Sequence, residues 1–356
     1  MYIITGSTGL IGASTSEYFL KKGIKILGID NDLRAYFFGK NGSNKWKEKI
    51  LKQNKLYTHH KVDIRNKEKI FNIFKNNRKK IKAIIHTAAQ PSHDWAVKEP
   101  FTDFDVNANG TLNLLEAFRK YCPHASFIFT STNKVYGDTP NFLPLNEKKL
   151  RYELKKDHKY FSRGINESMS IDHTTHSLFG ASKTAADLLV QEYGRYFNLR
   201  TVSFRGGCLT GENHSGAKLH GFLSFLVKTI VNEKKYSIYG YKGKQVRDNI
   251  HSLDVARAFN EFIKKPKYGG KVYNLGGGRE NSCSILEAIS LIEKISNKKC
   301  NYKILKQNRV GDHVWWISDN SKFKKDYPKW KINVTLKQSL EQMVQFELNY
   351  IKHQSQ

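Results

Sequence analysis

No stretch of this sequence approaches the roughly 20 consecutive apolar residues that a helix needs to cross a bilayer. Cysteine is scarce: four residues, at positions 122, 208, 283 and 300, with no CxxC pair among them. That spacing argues against a disulfide framework or a zinc site and fits a reducing compartment. Acidic residues are few, 32 Asp+Glu against 60 Lys+Arg, for a formal charge of +28. A basic surface can serve nucleic acid. Here, however, the lysines stand in ones and twos, as in Lys21-Lys22, Lys79-Lys80 and Lys298-Lys299, with no basic block or tail. The expectation is therefore no nucleic-acid partner, and a positive field that attracts an anionic small substrate. A strand begins at Tyr2, which leaves no room for a signal peptide. No membrane association and a cytoplasmic location are expected.

Short apolar runs alternate with helical patterns through the first two hundred residues. Strands are expected at 2–5, 25–30, 83–87, 126–130 and 200–204, with amphipathic stretches at 10–22, 67–76, 106–121 and 181–198. Such alternation implies a parallel sheet covered on both faces. Beyond Phe204 the pattern turns irregular and rich in Gly, Lys and Tyr. Residues 245–263 read as a short strand and a helix, and 269–278 as a strand and a turn. The expected fold class is α/β, a doubly wound parallel sheet of the Rossmann type with a smaller substrate-binding lobe.

Between the first strand and the first helix lies Gly6-Ser7-Thr8-Gly9-Leu10-Ile11-Gly12. Glycines there let the backbone turn tightly and approach a pyrophosphate, which free N–H groups at the helix N-terminus then hold. Glycine-rich turns are common. The strand before, the helix after and Asp30 at the end of the second strand make this one specific. A carboxylate at that place accepts both ribose hydroxyls and repels a 2′-phosphate, so NAD is expected rather than NADP. Arg34 lies near enough to soften that preference.

Several further segments carry a resemblance: Asp63-Ile64, Ala88-Ala89, the run Asn107 to Glu116 (NANGTLNLLE), Ser131 to Gly137 (STNKVYG), and Gly180-Ala181-Ser182-Lys183. Together they resemble the extended short-chain dehydrogenases, over residues 1 to about 205. Ser131–Asp138, Glu167-Ser168, His176-Ser177 and Gly243–Asp248 (GKQVRD) are most similar to the CDP-tyvelose epimerase branch of the NAD-dependent epimerase/dehydratase group. The resemblance implies cofactor contacts at Gly6, Thr8, Gly9, Leu10, Ile11, Gly12, Asp30, Asn31, Asp63, Ile64, Ala88, Ala89, Asn107 and Lys183. It implies an NAD-binding domain over 1–204, with 248–275 returning to it, and a nucleotide-sugar lobe over 205–247 and 276–356. It also implies a homodimer or homotetramer, built by an intersubunit bundle of helices 106–121 and 181–198. Leu112, Leu115, Phe118, Leu188 and Leu189 would then face the partner, unless they face the sheet.

The family carries Tyr-x-x-x-Lys on one helix. The lysine binds the nicotinamide ribose and lowers the tyrosine pKa, so that the phenolate takes a sugar hydroxyl proton. At that spacing this chain has Phe179 and Lys183. Phenylalanine has no ionisable oxygen. Three readings stand: an engineered Tyr→Phe change, a natural one with another group moving the proton, or binding without catalysis. If the site is still set for a phenolate, Phe179→Tyr raises turnover by roughly 10²-fold or more. If not, His176 and Thr132 are the first substitutes to consider. His93 and Asp94, after the fourth strand, could face the sugar but read rather as ordinary loop residues, and Tyr136 as a packing residue.

Thr132 matches the family's Ser/Thr that contacts the reacting sugar hydroxyl. Next to it stand Asn133 and Lys134, where the 4,6-dehydratases of this superfamily carry Asp-Glu to eliminate water. Epimerisation needs no such pair. The expected substrate contacts are Thr132, Asn133, His176, and three arginines, Arg205, Arg247 and Arg309, since guanidinium groups grip a diphosphate bidentately. Leu219-His220-Gly221-Phe222 should sit near the nucleotide base, and Trp315-Trp316 should pack the lobe. The reading is an NAD-dependent nucleotide-sugar epimerase with a CDP-sugar substrate, oxidised transiently at C2. A 4-epimerase, a reductase and a non-catalytic sugar-nucleotide-binding protein are the alternatives.

Overall fold

The computed structural model describes residues 1–212, 221–308 and 311–354. Seven parallel strands form the central sheet: Tyr2–Thr5, Ile26–Ile29, Tyr57–His60, Ala83–His86, Ser126–Thr132, Arg200–Gly206 and Lys271–Leu275. Their spatial order is third, second, first, fourth, fifth, sixth, seventh, with every neighbouring pair parallel. The chain thus leaves the first strand toward one edge and later returns toward the other. That reversal opens a crevice at the strands' carboxyl ends, where open α/β sheets place ligands.

Two-residue periodicity splits the core into two layers. Ile3, Ile84, Phe127 and Phe129 face a layer with Phe74, Leu114, Leu115, Phe118, Ala186 and Val190. Their neighbours Ile4, Ile85 and Ile128 face Phe19, Val255, Phe259 and Phe262 on the opposite side. Strands buried on both faces read as continuous apolar runs, which is how they appear in the sequence. Leu115 and Phe118 are fully buried against the sheet. They are unavailable to the intersubunit face expected of them, whereas Leu188 is exposed.

The lobe has its own core. Helices Phe222–Val231, Ile285–Ser296 and Leu336–Gln354 bring together Leu226, Ile230, Ile289, Leu340 and Met343. Packing crosses the expected boundaries at two places. Phe323, Tyr327 and Trp330 lie within 276–356 yet pack on Phe204, Phe259 and Tyr273 of the sheet, covering apolar surface beside the last strand. Tyr136, Leu154, Tyr160 and Ile165 lie within 1–204 yet join Trp315, Trp316 and Ile317 in a cluster bridging to the lobe. Trp315 and Trp316 are fully buried there, so they pack, as expected. Among the described residues, no helix is long and apolar enough to cross a membrane, and no His/Cys/Asp/Glu group could hold a metal ion.

Candidate active site

One cavity of about 670 Å³ runs from the glycine turn to the lobe. At its cofactor end, Gly6 takes φ +64°, and a Cβ there would lie 2.7 Å from the Ala88 nitrogen. A Cβ on Gly12 would drive into the Gly6 carbonyl. Only glycine lets the turn close this tightly against the first helix. Gly6, Gly9, Leu10 and Ile11 line the cavity, as do Asp30, Asn31, Asp63, Ile64, Ala88 and Ala89. Asp30 Oδ2 accepts the Thr8 N–H (3.0 Å) and hydroxyl (2.7 Å), and its Oδ1 accepts the Asp32 N–H (2.8 Å). These bonds fix the carboxylate at the cavity wall. The Asn31 amide donates to Asp63 at 2.9 Å. A glycine cradle, a helix N-terminus and an oriented carboxylate fit a dinucleotide.

Thr8, Gly12 and Asn107, expected at the cofactor, do not line the cavity. Thr8 positions Asp30, and Gly12 lets the turn close. The buried Asn107 side chain receives the Gln90 N–H and donates to the Gln90 carbonyl, Asp103 and Ser182 at 3.0–3.1 Å. It ties the loop after the fourth strand to the helix that carries Lys183.

At the cavity's centre, Thr132 ends the fifth strand. Its Oγ1 accepts the Lys134 N–H at 3.2 Å, capping a short turn, and still lines the cavity. Asn133 and Lys134 line it as well. Helix Ser177–Tyr196 presents Phe179 and Lys183 one turn apart, both on the cavity wall. Phe179 is 8% exposed and meets the His93 ring edge-on, centroids 4.8 Å apart. Lys183 is 4% exposed; Nζ donates to the Thr130 carbonyl at 2.9 Å and lies 4.1 Å from the Phe129 ring centroid. Burial pushes the Lys183 ammonium down to about 7, with Asp187 and Asp103 offsetting part of that.

At the lobe end, Arg247 and Asn249 alternate along the strand Val246–His251 and Gln245 directly precedes it, and all three line the cavity. The Arg247 guanidinium donates to the Val246 carbonyl at 2.8 Å and lies 3.3 Å from Asp312. Phe222, Phe225, Tyr236 and Tyr239 complete the wall, Phe222 as expected. Arg309, Leu219 and His220 lie outside the described residues.

Two expected substrate contacts are placed elsewhere. Arg205 is buried, bonded to Asp187 at 2.9 Å and to the Tyr136 hydroxyl at 3.0 Å, away from this cavity. Burial works against its charge, yet Asp187 holds it more firmly protonated than usual. It is a structural ion pair. His176 donates from Nε2 to the Val135 carbonyl at 2.9 Å and does not line the cavity. Sequence reasoning set His93 aside as a loop residue and passed over Cys208, Gln245 and Asn249; all four line the cavity. Only His93 had a signal, a polar ring just after a sheet strand.

A model for the NAD dependent epimerase/dehydratase family matches residues 2–276. The chain belongs to that family. The family is NAD-dependent, and NAD is this chain's cofactor. Along 347 residues the chain is 31% identical to a CDP-paratose 2-epimerase from Salmonella typhi, over 96% of this chain and 97% of that one. It is 28% identical to a UDP-glucuronate 4-epimerase from Thermodesulfobacterium geofontis, over 99% and 97%. Its fold matches a solved UDP-glucuronic acid 4-epimerase from Bacillus cereus with NAD bound, at TM-score 0.79 and 23% identity over 98% and 99%.

Proposed function

We propose that the protein epimerises a CDP-sugar, at C2, through a transient keto sugar. One observation carries the reading. A single cavity joins the glycine cradle, the Thr132–Phe179–Lys183 wall and Arg247, so that a cofactor and a nucleotide sugar meet at the middle. Bound NAD supplies the hydride acceptor and donor. Lys183 Nζ, anchored on the Thr130 carbonyl, holds the cofactor's ribose. The Thr132 hydroxyl orients the reacting sugar hydroxyl, and Arg247 neutralises the diphosphate. With Asn133 and Lys134 where an acid–base carboxyl pair would stand, elimination of water has no machinery, and Lys134 Nζ is bonded to the Gly311 carbonyl at 2.7 Å.

The choice of cytosine is supported by two amides. Gln245 and Asn249 are 4% and 2% exposed, and both line the cavity. Gln245 Oε1 and Asn249 Oδ1 accept from no donor among the described residues, and buried acceptors of this kind call for a partner. Cytosine brings an exocyclic amine, whereas uracil presents a carbonyl at the same place. The likeness to a CDP-paratose 2-epimerase points the same way.

The test incubates the purified NAD-loaded protein with CDP-paratose, UDP-glucose and UDP-glucuronate and follows products by NMR. Conversion of CDP-paratose to its 2-epimer is expected. Gln245→Met weakens CDP-sugar binding about tenfold, the worth of one hydrogen bond. Conversion of the UDP-sugars alone would overturn the cytosine assignment and favour a 4-epimerase. A second reading, binding without turnover, is favoured by Phe179; it predicts tight CDP-sugar binding and no product.

A further inference from the structure

In the reaction proposed above, the hydride taken from the sugar is returned to it from the same nicotinamide, so the chain has to keep its cofactor through the whole cycle. We propose that Trp46 is a positioning residue that keeps it there. Trp46 pins a strap beside the adenosine end of the glycine cradle to the last helix of the lobe, and NAD leaves only when that contact parts. This rests on the reading above that the cradle holds NAD.

The strap is residues 31–46. Asn31, Leu33, Arg34 and Asn44 line the cavity at the end that holds Asp30, so both limbs of the strap border the space beside that carboxylate. Asp32 closes the strap on itself. It takes φ +56°, a left-handed turn that Asp tolerates better than most residues. Its carboxylate accepts the Ser43 hydroxyl at 2.6 Å and the Asn44 N–H at 2.8 Å. Its own N–H is held by Asp30, which fastens the strap to the carboxylate that faces the ribose. Midway along, the Arg34 Nε–H donates to the Gly42 carbonyl at 3.3 Å. A Cβ on Gly42 would fall 2.5 Å from the Phe38 Cβ, so only glycine lets the two limbs approach this closely.

Beyond Asn44 the strap runs into helix Lys45–Lys52, whose first turn is anchored on two sides. Lys47 pairs with Glu17 at 2.8 Å, on the helix that opens at the cradle. Trp46 meets the Phe346 ring, centroids 5.8 Å apart. Phe346 stands one turn after Met343 on helix Leu336–Gln354. Met343 is buried in the lobe core, and its sulfur accepts the Thr210 hydroxyl at 3.4 Å. The ring pair thus ties the wall of the cofactor site to the core of the lobe. Neither ring lines the cavity, and both are half-buried, so truncating either leaves the two cores in place.

The experiment loads purified protein with radiolabelled NAD, adds excess unlabelled NAD, and follows the label that stays on the protein. Trp46→Ala and Phe346→Ala are each expected to release NAD roughly tenfold faster than wild type, the scale on which one aromatic pair acts. The double variant is expected to stay within about twofold of the quicker single one, because both changes remove one contact. Trp46→Phe keeps a ring against Phe346 and restores slow release. Phe346 lies outside the cavity, so its effect can reach NAD only through the strap. A release rate unchanged in either alanine variant overturns the proposal, as does a double variant whose effects multiply or a Trp46→Phe as fast as Trp46→Ala. A merely structural tryptophan lowers the denaturation midpoint of the NAD-free protein and leaves release as it was, which also overturns it. Asp30→Ala tests the cradle separately. NAD held as tightly there as in wild type removes the cradle reading and the proposal with it, whereas weakened NAD in Asp30→Ala with release unchanged in Trp46→Ala removes the strap alone.

Discussion

Freed of cofactor, the protein is expected to shed a stability penalty as pH rises from about 7 toward 10, and the penalty comes from Lys183. Its ammonium is 4% exposed and bonded to the Thr130 carbonyl, and burial lowers its pKa from 10.5 to about 7. In the unfolded chain the same group titrates near 10.4. Between those values the unfolded chain binds one proton that the folded chain lacks, so unfolding free energy climbs by about 1.4 kcal/mol per pH unit. Below about pH 7 the folded state carries the full penalty, roughly 5 kcal/mol; above about 10.4 it carries none. Lys183→Met removes the titration while keeping most of the aliphatic stem. The assay is chemical denaturation of both proteins, NAD removed, at intervals from pH 6.5 to 9.5. The difference, wild type minus variant, is flat up to about pH 7 and then rises by about 3 kcal/mol by pH 9.5. Parallel stability curves for the two proteins would refute the reasoning, since every other titrating group is common to both.

Gly12→Ala places a methyl against the Gly6 carbonyl, so the turn must open; NAD affinity by calorimetry is expected to fall by roughly 10²-fold or more. NADP is expected to bind roughly 10²-fold more weakly than NAD in the same measurement, because a 2′-phosphate meets the Asp30 carboxylate fixed by Thr8. Arg205→Leu strands the fully buried Asp187 carboxylate and costs about 3–5 kcal/mol in denaturation, with substrate KM unchanged if Arg205 is structural. The helix pair 110–121 and 177–196 carries the exposed Leu188; we expect a homodimer there by sedimentation, and a monomer for Leu188→Glu.

What could be read from the sequence was local. The glycine turn, Asp30 and the Phe179–Lys183 spacing are set by a few neighbouring residues, and the structure places Gly6, Gly9, Asp30, Phe179 and Lys183 on the cavity wall. The buried strands announced themselves by apolar runs. The edge strand Tyr57–His60 did not, because only Tyr57 in it is buried. Long-range partners were illegible for a different reason. Nothing near Arg205 in sequence shows that Asp187 waits on a helix to bind it. Nothing near Leu115 and Phe118 shows whether their helix turns them to the sheet or to a partner. Gln245 stands inside a recognised motif and Asn249 directly after it, yet that their amide oxygens lack donors among the described residues is visible only once the lobe is folded.

The lowered Lys183 pKa and the absent tyrosine oxygen belong to one electrostatic argument. A phenolate base begins negative and ends neutral, so an ammonium beside it favours the resting state that does the work. With phenylalanine at 179 no phenolate stands beside Lys183. Burial is the dominant influence on its ammonium, Asp187 and Asp103 offset only part of it, and its pKa falls to about 7. A tyrosine introduced at 179 would meet a lysine that gains from an anionic neighbour, so phenolate and ammonium would each favour the other's charged form.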